Sequence, residues 1–186
     1  MLSILLIGVG LSMDAFAVSV TNGLTLRPFR LRDGVWMGLY FGAFQFLMPL
    51  LGYLLGSTVS RYVEAFGPYI SFFLLAFIGG RMALDSLRNG PEEAGMTALS
   101  HPKLLLLAVA TSIDALAVGV SFAFMEDVAL LPGCALIGFT TFALSLSGAL
   151  LGSRIPGISG KKAGLLGGAV LIAIGVKLLA EGAILK

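Results

Sequence analysis

Apolar positions do not alternate with polar ones along this chain; they run in long unbroken blocks. The blocks cover approximately residues 2–22, 34–56, 68–88, 103–124, 130–152 and 163–185. Each is close to the roughly 20 residues that a helix needs to cross a bilayer, so the pattern predicts six membrane-spanning helices. Polar punctuation separates them: Arg27-Pro28-Phe29-Arg30-Leu31-Arg32-Asp33, Ser60-Arg61-Tyr62-Val63-Glu64, Asn89 through Pro102, Glu126-Asp127, and Arg154 through Lys162. The third break, with Pro91, Glu92, Glu93 and Gly95, is the longest polar stretch and divides two halves of three helices. Residues 1–90 form the first half, 91–102 a linker on the cytoplasmic side, and 103–186 the second half.

The halves are related in sequence. Ser12-Met13-Asp14-Ala15-Phe16-Ala17-Val18-Ser19-Val20 matches Ser112-Ile113-Asp114-Ala115-Leu116-Ala117-Val118-Gly119-Val120, an offset of 114 − 14 = 100. Gly42, Gly52 and Gly56 align with Gly138, Gly148 and Gly152 at 138 − 42 = 96. Ile78-Gly79, Arg81 and Asp85 align with Ile174-Gly175, Lys177 and Glu181 at that same offset of 96. The recurrence also argues against reading Met1 to Ala17 as a cleaved signal peptide, although Ala15-Phe16-Ala17 has the small-x-small form. No Lys or Arg precedes that stretch, Asp14 lies inside it, and nearly the same string recurs deep in the chain.

A repeat of three crossings must be inserted the second time in the opposite orientation. Positive charge fixes the sides. Arg27, Arg30, Arg32, Arg88, Lys103, Arg154, Lys161 and Lys162 fall in loops after the first, third and fifth helices. Arg61, Lys186 and the acidic Glu126-Asp127 fall opposite. Both termini are therefore expected outside the cytoplasm. The fold class expected is an all-α integral membrane protein, six transmembrane helices arranged as two inverted three-helix repeats, a plan many secondary transporters use to build a midplane site.

Composition changes the picture only by exclusion. Hydrophobic residues make up 58% and charged residues 12% of the 186, against roughly 25% charged in a soluble chain. A water-soluble catalytic domain does not fit in what the spans leave. One cysteine, Cys134, and one histidine, His101, exclude a disulfide framework within the chain, a thiolate zinc site and a multi-His site. The net charge of +2 resides in loop residues with a topological role and points to no nucleic acid.

Chemistry concentrates on Asp14 and Asp114. Each falls near the middle of a span, where a carboxylate costs roughly 2.5–3.5 kcal/mol on the insertion scale. Packing is one reading of such acids; a functional site is the stronger one, because they recur by repeat symmetry. Gly8, Ser12, Ala15 and Ser19 form a small-residue stripe, repeated as Ala108, Ser112, Ala115 and Gly119, which reads as a packing seam. Thr21 and Ser121, seven residues after each Asp, are candidate oxygen ligands or hydroxyls bonded back to their own helix. Gln45 precedes Pro49 by one turn, where the missing donor frees a carbonyl, and it aligns with Thr141, a second neutral oxygen. Asn22 is a weaker candidate, and Met13 and Met48 read as filler. Arg81 with Asp85 and Lys177 with Glu181 have the i,i+4 spacing of ion pairs, either structural anchors or gating elements. Two acids with neutral oxygens, and no His or Cys among them, suit a hard divalent cation such as Mg, Ca or Mn. Adjacent carboxylates also resist double ionisation, so exchange of metal for protons follows as a mechanism.

Ser12-Met13-Asp14-Ala15-Phe16-Ala17, Phe41-Gly42 with Gln45 and Pro49 to Gly52, Gly79-Gly80-Arg81-Met82, the second Ser-x-Asp-Ala motif and Gly160-Lys161-Lys162 resemble the bacterial manganese efflux pump family, MntP, related to the LysE-type exporters. The resemblance covers essentially the whole chain. It implies a multi-pass exporter in the bacterial inner membrane that lowers cytoplasmic Mn(II), with no enzymatic activity and no cofactor. The family's membrane acids map onto Asp14 and Asp114, and its polar position on the second helix maps onto Gln45, where some members carry an acid. The partners expected are a divalent metal ion and the bilayer, with a homodimer left open. The alternatives are an intramembrane aspartyl-type enzyme, for which no Gly-x-Gly-Asp motif is present, and an exporter or channel for another divalent cation.

Overall fold

A computed structural model describes residues 2–26, 28–88, 99–123, 129–155 and 160–184. The chain is all helical: α1 Leu2–Thr25, α2 Leu31–Leu55, α3 Ser57–Arg88, α4 His101–Phe122, α5 Leu130–Ser153 and α6 Gly160–Ile184. These follow the six apolar blocks because a backbone in lipid must satisfy its own N–H and C=O groups, and a helix does so within one segment. Four stretches are long and apolar enough to cross a membrane: Leu6–Thr25, Leu31–Leu55, His101–Phe122 and Leu130–Ser153. In α3 and α6 the apolar cores are shorter, Tyr69–Arg81 and Leu165–Lys177. The protein is a multi-pass membrane protein.

Three boundaries differ from the sequence expectation. Ser60 through Glu64, expected as a loop, lies inside α3, since none of Ser, Arg, Tyr, Val or Glu breaks a helix. The break falls instead at Gly56, whose φ of 50° is the left-handed region that glycine enters without steric cost. Its N–H donates to the Gly52 carbonyl at 3.0 Å. Helix α1 runs three residues past the expected end, to Thr25, and α6 starts at Gly160, taking Lys161 and Lys162 into its first turn. Pro102 stands in the first turn of α4, where its fixed φ suits a helix start. Arg27, residues 89–98 of the linker, Glu126-Asp127, Pro156-Gly157 and Lys186 lie outside the described residues, as do the side chains of Asp85 and Glu181.

The helices pack mainly across the two halves. α1 lies along α5, α2 along both α4 and α5, and α3 along α6, with smaller α1–α6 and α3–α4 interfaces. Small residues set the spacing. Gly8 lies against Ile137 and Thr140, Gly148 against Phe16, and Gly152 against Val20 and Leu24, so α1 and α5 run parallel. Gly34 meets Leu146 and Ala149, Gly38 meets Phe142, and Gly42 meets Gly138, so α2 and α5 run antiparallel. An ideal Cβ on Gly42 would lie 2.8 Å from the Gly138 carbonyl oxygen, and one on Gly138 the same distance from that of Gly42. Only glycine permits that approach. Gly119 packs on the Pro49 backbone, and Gly52 on that of Leu116. The starts of α2 and α4 are held by an aromatic group: Tyr40 Oη is 3.2 Å from His101 Nδ1, and Trp36 meets the His101 ring edge-on at 5.1 Å.

Polar side chains share the interior with an apolar core. Ser12, Asp14, Ser19, Thr21, Asn22, Gln45, Thr111, Ser112, Thr141 and Ser145 are buried, while Leu54, Phe73, Phe77 and Phe139 face outward. Among the buried apolar residues, Met37, Phe41, Leu104 and Leu107 form part of the core beside them. Lipid-facing apolar side chains around an interior that holds the polar ones are what a bilayer protein requires.

Candidate functional site

The small-residue stripe of α1 reads as expected, as a seam: Ser12, Ala15 and Ser19 are fully buried, on the helix face that meets α5. Ser12 Oγ donates to the Gly8 carbonyl at 2.5 Å and lies 2.7 Å from Thr141 Oγ1. Thr141 Oγ1 in turn donates to the Ile137 carbonyl at 2.9 Å. Two hydroxyl protons cannot serve three contacts at once, so the cross-helix bond forms only when one hydroxyl releases its own helix carbonyl. Thr141 is thus committed to joining α1 and α5.

Asp14 sits two residues further along α1, near its middle, and is buried. Asp114 occupies the corresponding place on α4 and is half-buried. Its Oδ1 accepts the Ala115 N–H at 2.9 Å. Asp114 lies close enough to Asp14 and to Lys177 for their charges to act on it. The two acids, 100 residues apart in sequence, thus lie within electrostatic range of one another.

Lys177 has a partner that sequence reasoning did not name. The expected pair with Glu181 lies outside the described residues, since that side chain is not among them; the Lys177 Nζ lies 3.2 Å from Asp14 Oδ1, across the α1–α6 interface. The spacing along α6 carried no information about which helix α6 leans on. The available signal was repeat symmetry: each half carries one cation at this position, Arg81 and Lys177, and one acid at the centre of its first helix, Asp14 and Asp114. Arg81 is exposed on α3.

Gln45, on α2, is fully buried. Its Nε2 donates to the Leu11 carbonyl at 2.8 Å, while Oε1 has no hydrogen-bond partner. The helix continues through Pro49, which offers no N–H to the Gln45 carbonyl one turn earlier. Two acceptor oxygens of one residue are thus left short of donors, a costly arrangement in a dry interior. Leu11 lies one turn before Asp14's own turn of α1, so Gln45 joins α2 to the helix that carries that acid.

The remaining candidates fall elsewhere. Thr21 is buried, but seven residues of helix separate it from Asp14 by about 10 Å of rise. Ser121 is exposed, and its hydroxyl donates to the Ala117 carbonyl of its own helix at 3.1 Å. Asn22, which the sequence ranked low, is fully buried; its Nδ2 donates to the Val18 carbonyl at 3.0 Å and its Oδ1 has no partner. Ser19 Oγ and Ser145 Oγ are likewise buried without partners. Among the described residues no group of three or more His, Cys, Asp or Glu side chains converges. What the described residues do place within reach of one another's charge is sparser: the carboxylates of Asp14 and Asp114 and the ammonium of Lys177.

Comparison with known proteins gives the same direction. A family model described as "Putative manganese efflux pump" matches residues 28–179. The chain is 50% identical over 176 residues to a protein of Methanosarcina mazei named "Putative manganese efflux pump MntP", covering 95% of this chain and 94% of that one. A protein of the same name from Methanobrevibacter smithii is 46% identical over 179 residues, with 96% of each chain covered. One from Methanosphaera stadtmanae is 40% identical, over 96% of this chain and 98% of its own. No solved structure matches.

Proposed function

The chain belongs to the MntP family of manganese efflux pumps, and from that premise we propose that it exports Mn(II) from the cytoplasm in exchange for protons. The substrate site is built on Asp14 and Asp114, with Gln45 as a neutral ligand. The observation that carries this reading is that two helix-centre acids from different halves lie within reach of each other's charge; a buried amide oxygen without a donor, on the helix bonded to Leu11 one turn before Asp14, supports it. An acceptor buried without a hydrogen-bond donor can be satisfied by a cation, and two carboxylates match a dication in charge. Thr21 and Ser121 supply polar lining of the path rather than inner ligands, and Thr141 holds α1 to α5.

The cross-half packing supports an inverted-topology repeat in which all six helices cross the bilayer. The α1–α5 interface has α4–α2 as its repeat counterpart, and the α1–α6 interface has α4–α3. Opposed units packed around a midplane site permit alternating access: rocking one against the other opens the acids first to the cytoplasm and then to the outside. Arg30, Arg32 and Arg154 mark the cytoplasmic side, and both termini lie outside, in the plasma membrane. After Mn(II) leaves, protons from outside take up the carboxylate charge that is left uncompensated, so the return step moves no net charge through the low-dielectric interior.

Everted membrane vesicles test this. Mn(II) added to vesicles containing the protein is expected to be taken up with release of protons from the lumen, and Asp14→Asn or Asp114→Asn is expected to abolish both. Uptake without any proton movement would refute the exchange; uptake unchanged in either variant would refute the site.

A further inference from the structure

The 3.2 Å contact between Lys177 Nζ and Asp14 Oδ1 has a consequence for the substrate site, and we infer that Lys177 is a tethered counter-ion that Mn(II) must displace. This rests on the proposed role of Asp14. The two partners are unequally placed: the Asp14 side chain is 11% exposed and that of Lys177 is 53% exposed. The carboxylate is fixed in the interior of α1, whereas the ammonium reaches it on a flexible stem from α6. A dication ligated by the same carboxylate oxygen would sit within a few ångström of that ammonium, in a setting where repulsion between unlike-sized like charges is little screened. The two cations therefore compete for Asp14.

Formal charges give the exchange its selectivity. With Lys177 in place, Asp14, Asp114 and Lys177 carry a net charge of minus one, so the metal-free site does not hold two bare carboxylates. A monovalent cation displacing the ammonium would replace one positive charge by another and lose the ion pair. A divalent ion gains a charge in the trade, and only it outcompetes the lysine. Lys177 therefore discriminates by valence, and its return to Asp14 helps expel the metal when the site opens outward. Lys177 remains charged throughout; the device is competition for one carboxylate, not titration.

The test uses the full chain in lipid nanodiscs at constant pH, with Mn(II) alone as the probe. Lys177→Met keeps the stem and removes the charge. It is expected to tighten Mn(II) binding at least about ten-fold, modest beside the effect of a unit charge about 4 Å away near a protein surface. It is also expected to let Na⁺ compete where it does not in the wild type, and to slow efflux because release is impaired. Lys177→Arg is expected to retain weak binding and valence discrimination. Unchanged affinity and unchanged Na⁺ sensitivity in folded Lys177→Met overturn the inference. Should that variant not fold, amine labelling of the wild type decides: Mn(II) is expected to raise modification of Lys177 relative to exposed Lys162, and no change overturns it. Asp14→Asn separates the two levels of the argument. If that variant binds Mn(II) as the wild type does, the site itself is misassigned; if it loses binding while Lys177→Met matches wild type, only the role of Lys177 falls.

Discussion

Replacing Gln45 by methionine separates a ligand from a packing residue, because the structure sets the two readings at opposite signs. The side chain makes one bond, from Nε2 to the Leu11 carbonyl at 2.8 Å, and leaves Oε1 without a partner. Losing the bond costs about 0.5–1.5 kcal/mol, whereas removing a buried unsatisfied acceptor returns about 1–3 kcal/mol. Leu11 lies within α1, so its carbonyl keeps its helical donor. Methionine has nearly the same length and volume and leaves no cavity. Gln45→Met is therefore expected to be as stable as the wild type or up to about 2 kcal/mol more stable. At the same time it should weaken Mn(II) binding at least about ten-fold, the loss that even an outer-shell partner of a metal commonly causes. The chain has one tryptophan, Trp36, on the same helix and against His101, so its fluorescence reports thermal unfolding while metal binding is measured on the same sample. Normal Mn(II) affinity would remove Gln45 from the site. A stability loss beyond about 1 kcal/mol would mean that the Leu11 bond matters more than the orphaned oxygen, and the reasoning from unsatisfied acceptors would fail.

Asp14→Asn and Asp114→Asn are expected to abolish manganese tolerance in a strain lacking its own exporter, with membrane insertion intact or improved, since a mid-span charge costs roughly 2.5–3.5 kcal/mol to insert; growth on manganese plates and membrane immunoblots read the two parts. Gly138→Ala drives a methyl toward the Gly42 carbonyl, 2.8 Å from the ideal Cβ, and overpacking of this kind costs about 1–3 kcal/mol, a melting point several degrees lower. Gly80→Ala, whose Cβ meets nothing within 4 Å, is the matched control and should be neutral or stabilising by up to about 1 kcal/mol. Ser121→Ala removes an exposed hydroxyl already bonded to Ala117 of its own helix; efflux within two-fold or so of wild type is expected, and a large loss would restore Ser121 as a ligand.

The α1 to α6 order, the membrane setting and the two acids were legible in the primary sequence because they depend on one-dimensional properties. Apolar block length is set by bilayer thickness, and a repeat is visible wherever the same residues recur. Boundaries were less legible: Ser60 to Glu64 looked like a loop by polarity, yet polarity alone does not end a helix, and a lone glycine at position 56 did. Family membership was legible too, since motifs spread over the whole chain carried it, and the comparisons bear it out.

Lateral pairing was decided only in three dimensions. In lipid no hydrophobic gradient tells one apolar helix from another; association depends on which small-residue stripes fit and which polar groups meet. Gly42 and Gly138 each pass inspection as helix-contact residues, but their mutual approach exists only once α2 and α5 lie antiparallel. The same holds for Gln45, whose free Oε1 is a property of its surroundings. It holds most for Lys177: the spacing along α6 pointed only to a neighbour four residues on, and the lean of α6 on α1 brings its ammonium to Asp14 as well. Spacing along a helix fixes the face a side chain occupies, and only packing fixes what that face meets.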